Sequence, residues 1–480
     1  MILKTTSEPL PTTPDDPNNH TQFIKDNAPE LHKLLERRQA AATRLQNLLA
    51  HGLTKHVAQA LWRTVTAGDA TLLARTTGID TDTAVKLDQI TVNLHQQWTD
   101  SNLTTDDNIR IFDAISERGF GLTSVTHIKD RALLASWMQV GPNILQHMHK
   151  QDMSTLLAEL PYTNAHLHNT VNNVDPALWQ DILNISSNDT QPSHPQKRLT
   201  ATKRKQCQTA YTDKLTTEDM SVYLSTGGTG AGTWLHAPVG DISPLTDEQY
   251  VTATRLRLNK PQTPDPTHCQ RRSDNRTCNQ HTNPQLHHAL SCPFGPHRTA
   301  RHNALRDMLA HIIHKITGQT PLLEQILPPT NCHPVPDHPD DITDPINKAD
   351  ITWHTTTGPI HLDVMVTSAL TTHALAGAHA TSITPGLANT MGEQYKKRKY
   401  APHPIIPILF EAHGRIGNDT LTFLSKLCRT LPETEQQPMY HYALQALSTT
   451  LQRCNANTIN THLTHHLQPH QPLAIQTPKP

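Results

Sequence analysis

The apolar positions of this chain change their period along its length. In residues 29–185 they recur every three or four positions: Leu31, Leu34, Leu35, Ala42, Leu45 and Leu48 fit one helical face, and Gly52 follows as a stop. Shorter helical pieces are expected over 57–65 and 109–118. The stretch TDEQYVTATRLRL reads as a helix with Thr246 as N-cap and Asp247 and Glu248 in the first turn, where carboxylates meet the positive end of the helix dipole. RHNALRDMLAHIIHKITG places Leu305, Met308, Leu309, Ile312, Ile313 and Ile316 on one face, with Gly318 closing the helix. The period then falls toward two. ADITWHTTTGPIHLDVMV reads as a hairpin that turns through Thr355, Thr356, Thr357, Gly358 and Pro359. A polar helix containing GEQYKKRKY follows. HPIIPILFEA supplies a third strand from about Ile405 to Glu411, whose prolines suit an edge or a strand start. NDTLTFLSKLCRTL is the closing helix. The expectation is a mixed α+β chain: a helical N-terminal region, then a small central sheet flanked by helices.

Polar segments divide this pattern. Residues 1–28, rich in Pro, Thr, Asp and Asn, read as a disordered leader, and 446–480 as a disordered tail. Residues 186–265 read as a basic and Gly-rich linker. Lys197, Arg198, Lys203, Arg204 and Lys205 there suit either a solvated loop or a phosphate contact. The run STGGTGAGTWL matches neither GxGxxG after a strand nor a Walker loop with its lysine, so a tight structural turn is the better reading. Residues 266–300 form a small Cys/His module, and 301–445 the mixed domain. The length of 480 residues suits about three domains of ~150 each.

Composition qualifies the picture. Hydrophobic residues are 35% and aromatics 4%, which implies a modest core. The net charge of -1 gives no global basic field, so any nucleic-acid surface must be local. The 33 histidines scatter through the chain. No apolar run approaches the ~20 residues of a membrane span, and the N-terminus lacks a signal peptide's apolar stretch. A soluble, intracellular protein with no membrane partner is expected.

Seven cysteines are present, and Cys269, Cys278 and Cys292 are close together. This argues for one local metal site in a reducing compartment rather than a disulfide framework. With His287 they give C-x8-C-x8-H-x4-C, a tetrahedral thiolate–imidazole set suited to structural zinc. His281, in C-x2-H with Cys278, and His288 are competing ligands, and three free cysteines in a loop are the alternative. Arg271, Arg272 and Arg276 lie in the same loop and are expected to touch phosphates.

Asp350 and Asp363 fall one on each strand of the hairpin. A carboxylate inside an apolar strand is costly unless paired or metal-bound. Two side by side offer the hard oxygen donors that Mg²⁺ takes. Lys396, Lys397 and Lys399 on the next helix suit charge stabilisation at a phosphorus centre. Glu324 is a further ligand or a base orienter. The alternative is a surface hairpin with exposed aspartates.

This order of elements resembles the PD-(D/E)xK restriction-like nuclease core. HHALSC, RTARHNALRDML, KADITW, HLDVMV and EQYKKRKY look like the C-terminal region of non-LTR retrotransposon proteins that carry a restriction-like endonuclease. In that family a Cys-Cys-His-Cys knuckle precedes an Arg-His-Asn helix start, here Arg301, His302 and Asn303. The resemblance puts Ala349-Asp350 at the "PD" position and Asp363 at the second acid. It moves the catalytic lysine from the strand, where Met365 stands, to the next helix, where Lys396 and Lys399 match and Tyr400 closes the motif. GTGAGTWLHAPV and LTDEQYVTATRLRL look like the linker before the knuckle, so the resemblance covers about 220 to 430. It implies a Mg²⁺-dependent enzyme that nicks double-stranded DNA in the nucleus, with Arg301 and His302 near nucleic acid. The chain has no Tyr- or Phe-x-Asp-Asp polymerase motif, so the priming of reverse transcription would need element RNA and a separate reverse transcriptase. The chain then reads as the C-terminal fragment, or a decayed derivative, of such a protein. The rival expectation is a nucleic-acid-binding zinc-knuckle protein whose nuclease site has decayed.

Overall fold

The computed structural model describes residues 17–273, 276–327, 348–376 and 380–467. They form a mixed α/β structure dominated by helices. The N-terminal part is built on α1 (Pro17–Ala50), α2 (Lys55–Thr66), α3 (Thr81–Thr99) and α4 (Val125–His147). Thr54, Asp80 and Ser124 cap the last three with side-chain acceptors. Residues 1–16 of the expected leader lie outside the described residues. From Pro17 the chain is already helical, a correction to that expectation, and a proline at the first helical position suits its fixed φ.

The segment 186–265 is a second correction. It is packed structure rather than a linker, carrying α5 (Pro195–Thr212), α6 (Thr217–Ser225) and α7 (Asp247–Leu258). Trp234, Leu235, Tyr250 and Ala253 share one core with Trp62 and Trp98 of the N-terminal helices and Phe120 of the loop before α4. The aromatics, sparse in the sequence, are concentrated at this junction. Thr246 and Gln249 form a reciprocal capping box at the start of α7.

Beyond it come the short α8 (His287–Ser291) and the long α9 (His297–Thr317), which Gly318 ends in the left-handed conformation as expected. A four-stranded sheet follows, in the order β1-β2-β3-β4: β1 (Leu322–Ile326), β2 (Lys348–Thr355), β3 (Gly358–Thr367) and β4 (Ile405–Glu411). The first three pair antiparallel, and β4 lies parallel to β3 at the edge. The β3–β4 crossover carries α10 (Leu387–Lys399). After β4 come α11 (Asn418–Cys428) and α12 (Glu433–Leu467). Leu305, Leu309 and Ile313 of α9 share the main core with Ile351, Leu362, Val364, Ile408 and Phe410 and with residues of α11 and α12. Side chains alternate along a strand, so Leu409 points away from this core. It meets α10 at Gly392, where a Cβ would collide with it. The sheet is covered on both faces.

The expected disordered tail is the third correction. α12 runs through Leu467, with Leu451, Ala456 and Ile459 buried; residues 468–480 lie outside the described ones. Its sequence reads as polar because Thr and Asn fill positions that α7, α8 and α9 bury. Among the described residues no helix is long and apolar enough to cross a membrane.

Candidate functional site

Two chemical clusters stand on this frame. The first brings together Cys269, Cys278, His288 and Cys292, whose ligand atoms lie within 4.8 Å of one another. The loop 267–282 folds back on itself, pairing His268 with His281 and Arg272 with Thr277, which closes the long gap between the first two cysteines. The backbone amides of Cys269 and Cys278 donate to the carbonyls of Gln280 and Arg271 at 2.9 and 2.8 Å. Cys269 Sγ lies 3.7 Å from Cys292 Sγ, and Cys278 Sγ 3.3 Å from His288 Nε2. The sharing of a proton between the first two sulfurs favours the thiolate at Cys292 and disfavours it at Cys269. A thiolate-rich tetrad with one imidazole fits Zn²⁺.

The histidine of this set is His288, not the expected His287. His288 on the short α8 and Cys292, which directly follows its last residue, stand four apart, so they come to the same side as residues one helical turn apart do. His287 is one position out of that alignment. Its Nδ1 instead lies 3.2 Å from His413 Nε2, and burial pushes its pKa down to about 4. His281, the other competitor, packs edge-on against His268.

Arg271, expected at phosphates, and Arg301, expected near nucleic acid, are buried. Arg271 donates to the carbonyls of Ala289 and Thr458 at 2.7 and 2.8 Å, and Arg301 to Leu290 O and Asn455 Oδ1 at 2.8 Å. The last carbonyls of a helix have no partner within it, and these guanidiniums serve those of α8 while tying the Cys/His module to α12. Arg272 and Arg276 are exposed.

The second cluster is the carboxylate pair. Ile351 faces Leu362 in the ladder, which sets Asp350 and Asp363 next along it, side by side. Both are buried. Asp350 Oδ2 accepts from the Val364 amide at 2.6 Å, and its Oδ1 lies 3.1 Å from His302 Nε2. Asp363 Oδ1 accepts from Tyr400 Oη at 2.9 Å, and Lys396 Nζ lies 2.6 Å from Oδ2. Burial pushes both carboxyls upward. For Asp350 the His302 hydrogen bond and charge and the Val364 amide more than offset this, leaving it below the usual carboxylate range. For Asp363 burial wins over Lys396, with Asp350 adding to it, and the group lies above that range. Burial of His302 opposes its protonation, but Asp350 outweighs it and raises the imidazole. Burial and then Asp363 raise the Tyr400 phenol, which stays protonated and donates.

Of the other residues expected here, Lys399 turns its ammonium to the Tyr400 ring at 5.9 Å, while Lys397 pairs with Asp419 at 2.5 Å. Glu324 lies on β1, a strand the sequence pattern did not reveal, and is held by both Arg306 and Lys348. That double pairing holds its carboxyl below the usual range, although burial opposes it. Arg306 follows His302 by one helical turn on α9, so one helix face serves both Asp350 and Glu324. That i,i+4 spacing was legible in the sequence; its target across the sheet was not.

No protein-family model matches this chain, and no curated protein matches it.

Proposed function

We propose that this protein is a divalent-metal-dependent DNA endonuclease of the restriction-like type, with a structural zinc module, related to the nucleases of non-LTR retrotransposon proteins. The observation that supports this reading is the convergence of Asp350, Asp363 and Lys396 in one cluster on β2, β3 and α10, both carboxylates buried and the lysine half-buried. A protein gains little stability from burying two neighbouring carboxylates and one cation, whereas phosphodiester cleavage uses that set. The donor set suits Mg²⁺: two hard carboxylates, each oxygen with a lone pair beyond the one its protein partner takes. When bound there, the ion would supply polarisation of the phosphodiester and a more acidic water.

The chain's own residues have separate tasks. Tyr400 and the Val364 amide orient the two carboxylates, and His302 holds Asp350. Lys396 carries the positive charge that stabilises a phosphate gaining negative charge in the transition state. On this reading the substrate is double-stranded DNA in the nucleus, with element RNA and a separate reverse transcriptase as partners.

A second reading, a zinc-bearing nucleic-acid-binding protein whose nuclease site no longer cleaves, draws on one observation. All four carboxylate oxygens of Asp350 and Asp363 already have protein partners. Nicking of supercoiled plasmid with Mg²⁺, against EDTA, separates the two. The nuclease reading expects nicked circles that disappear with EDTA and in Asp350→Asn, Asp363→Asn and Lys396→Ala. Salt-sensitive DNA retention without nicking favours the second reading, and neither result leaves both without support.

A further inference from the structure

A second site lies where the N-terminal helices, the Gly-rich loop and α12 meet. They line a half-open cavity of about 790 Å³. Arg63 and Arg204 line it together with His127, His236 and His441, and no carboxylate does. Burial lowers the His127 and His236 imidazoles, the second to about 4, so the positive charge is that of Arg63 and Arg204, and a cavity lined by charge of one sign is arranged for an anion. Its floor is the Gly-rich loop, in which Gly228 and Gly230 take φ of +92° and +80°, open to glycine and strained for other residues. Among the described residues, the amides of Gly228, Thr229 and Gly230 donate to no protein group. Successive free amides in such a turn form a concave anion seat.

The wall from α5 carries the decisive atoms. Thr200 Oγ1 and Arg204 Nε are both buried, both without a hydrogen-bond partner, and one helical turn apart on the same face. Buried polar groups are normally satisfied, so each such group calls for an explanation. The Arg204 guanidinium lies 3.6 Å from Glu117 and near enough to Asp113 to lower that carboxyl, and neither contact uses Nε. Tyr440, Ile115 and Phe112 supply an apolar side to the same cavity. We propose that this cavity binds a nucleotide unit, its phosphate held by Arg204, Arg63, Thr200 and the loop amides, and its base lying against Tyr440 and Ile115. The loop has no Walker lysine, and here α2 and α5 supply the cations. The unit is either a free nucleotide or one residue of a nucleic-acid strand. The inference does not depend on the carboxylate cluster.

The test is equilibrium binding of mant-ADP, by fluorescence, and of a short fluorescein-labelled single-stranded oligonucleotide, by anisotropy, to the whole protein. Arg204→Gln and Thr200→Val are compared with Arg198→Gln, an exposed arginine of the same helix. Loss of a charge-assisted hydrogen bond from a buried site weakens binding by about tenfold or more. Saturable mant-ADP binding that falls at least that much in Arg204→Gln, falls in Thr200→Val and is unchanged in Arg198→Gln supports a free-nucleotide site. The same pattern with the oligonucleotide alone supports a strand site. Binding of neither probe, or equal losses in Arg204→Gln and Arg198→Gln, overturns the proposal. Thr200→Val removes a hydroxyl while keeping the side chain's shape, so an altered fold in Arg204→Gln, read by circular dichroism, leaves that arm to decide.

Discussion

Lys396 reaches from the last turn of α10 to Asp363 on β3, Nζ 2.6 Å from Oδ2; Asp363 is buried and the Lys396 side chain is half-buried. The two charges therefore depend on each other in a place where water screens little.

This contact decides the sign of one prediction. Two neighbouring carboxylates repel, and from the hairpin alone Asp363→Asn is expected to raise the melting temperature of the metal-free protein slightly. With Lys396 in contact, the same change takes from a half-buried ammonium the carboxylate it lies against. Asp363→Asn is expected to lose about 3 kcal/mol of stability, and Asp363→Asn/Lys396→Met much less. Urea unfolding of both variants checks this. A single variant as stable as the wild type would show that Lys396 already has another counterion.

The zinc module separates two adjacent histidines. The protein is expected to carry about one zinc per chain, lost on Cys292→Ser and on His288→Ala and retained on His287→Ala. Metal analysis under reducing, chelator-free conditions reads this directly. Retention in His288→Ala with loss in His287→Ala would reverse the assignment made from α8.

The three arginines expected at phosphates, and Arg301, expected near nucleic acid, divide by burial. Arg271→Ala or Arg301→Ala is expected to cost about 1–3 kcal/mol of stability, since each leaves buried carbonyls unpaired. Arg272→Ala/Arg276→Ala is expected to leave stability unchanged and reduce the salt slope of DNA binding by about two. Thermal melts beside DNA titrations at several salt concentrations distinguish the pairs. A stable Arg301→Ala variant with a flattened salt slope would return that residue to the DNA surface.

Asp113 gives the stability a pH dependence. Burial raises its pKa to about 6, with smaller opposing and reinforcing contributions from Gln208 and Glu117. Its folded pKa lies above its unfolded one near 3.8, so the folded state binds the extra proton. This contribution is fully present below about pH 4 and is lost as pH rises through about 6. Asp113→Asn is expected to flatten the decline of stability between those values. Unfolding free energies measured across the window test it, and parallel curves for variant and wild type would place the titration on another group.

Where a periodic apolar pattern met a strong local signal, the elements were legible from the residues alone. The α9 stripe from Leu305 to Ile316, the hairpin around Gly358, the β4 run and the Thr246 cap are local matters of spacing, turn chemistry and capping. So were the residue types of both clusters: a carboxylate in an apolar strand and grouped thiols have few inexpensive structural uses. Tertiary packing decided everything that depended on partners distant in the chain. α12 reads as polar because its Thr and Asn positions are buried only when α7, α8 and α9 pack on them, with Asn455 bonded to Arg301 and to Ala412 O. β1 is short, and its exposed apolar residues give no alternation; it becomes a strand by pairing with β2. His288 displaces His287 because the short helix α8 aligns positions four apart. Arg271 and Arg301 turn inward because unpaired helix carbonyls await them. Sequence determines which groups are present and how each segment prefers to fold; only the packed structure determines which charges meet, since burial strengthens the interactions that distance along the chain conceals.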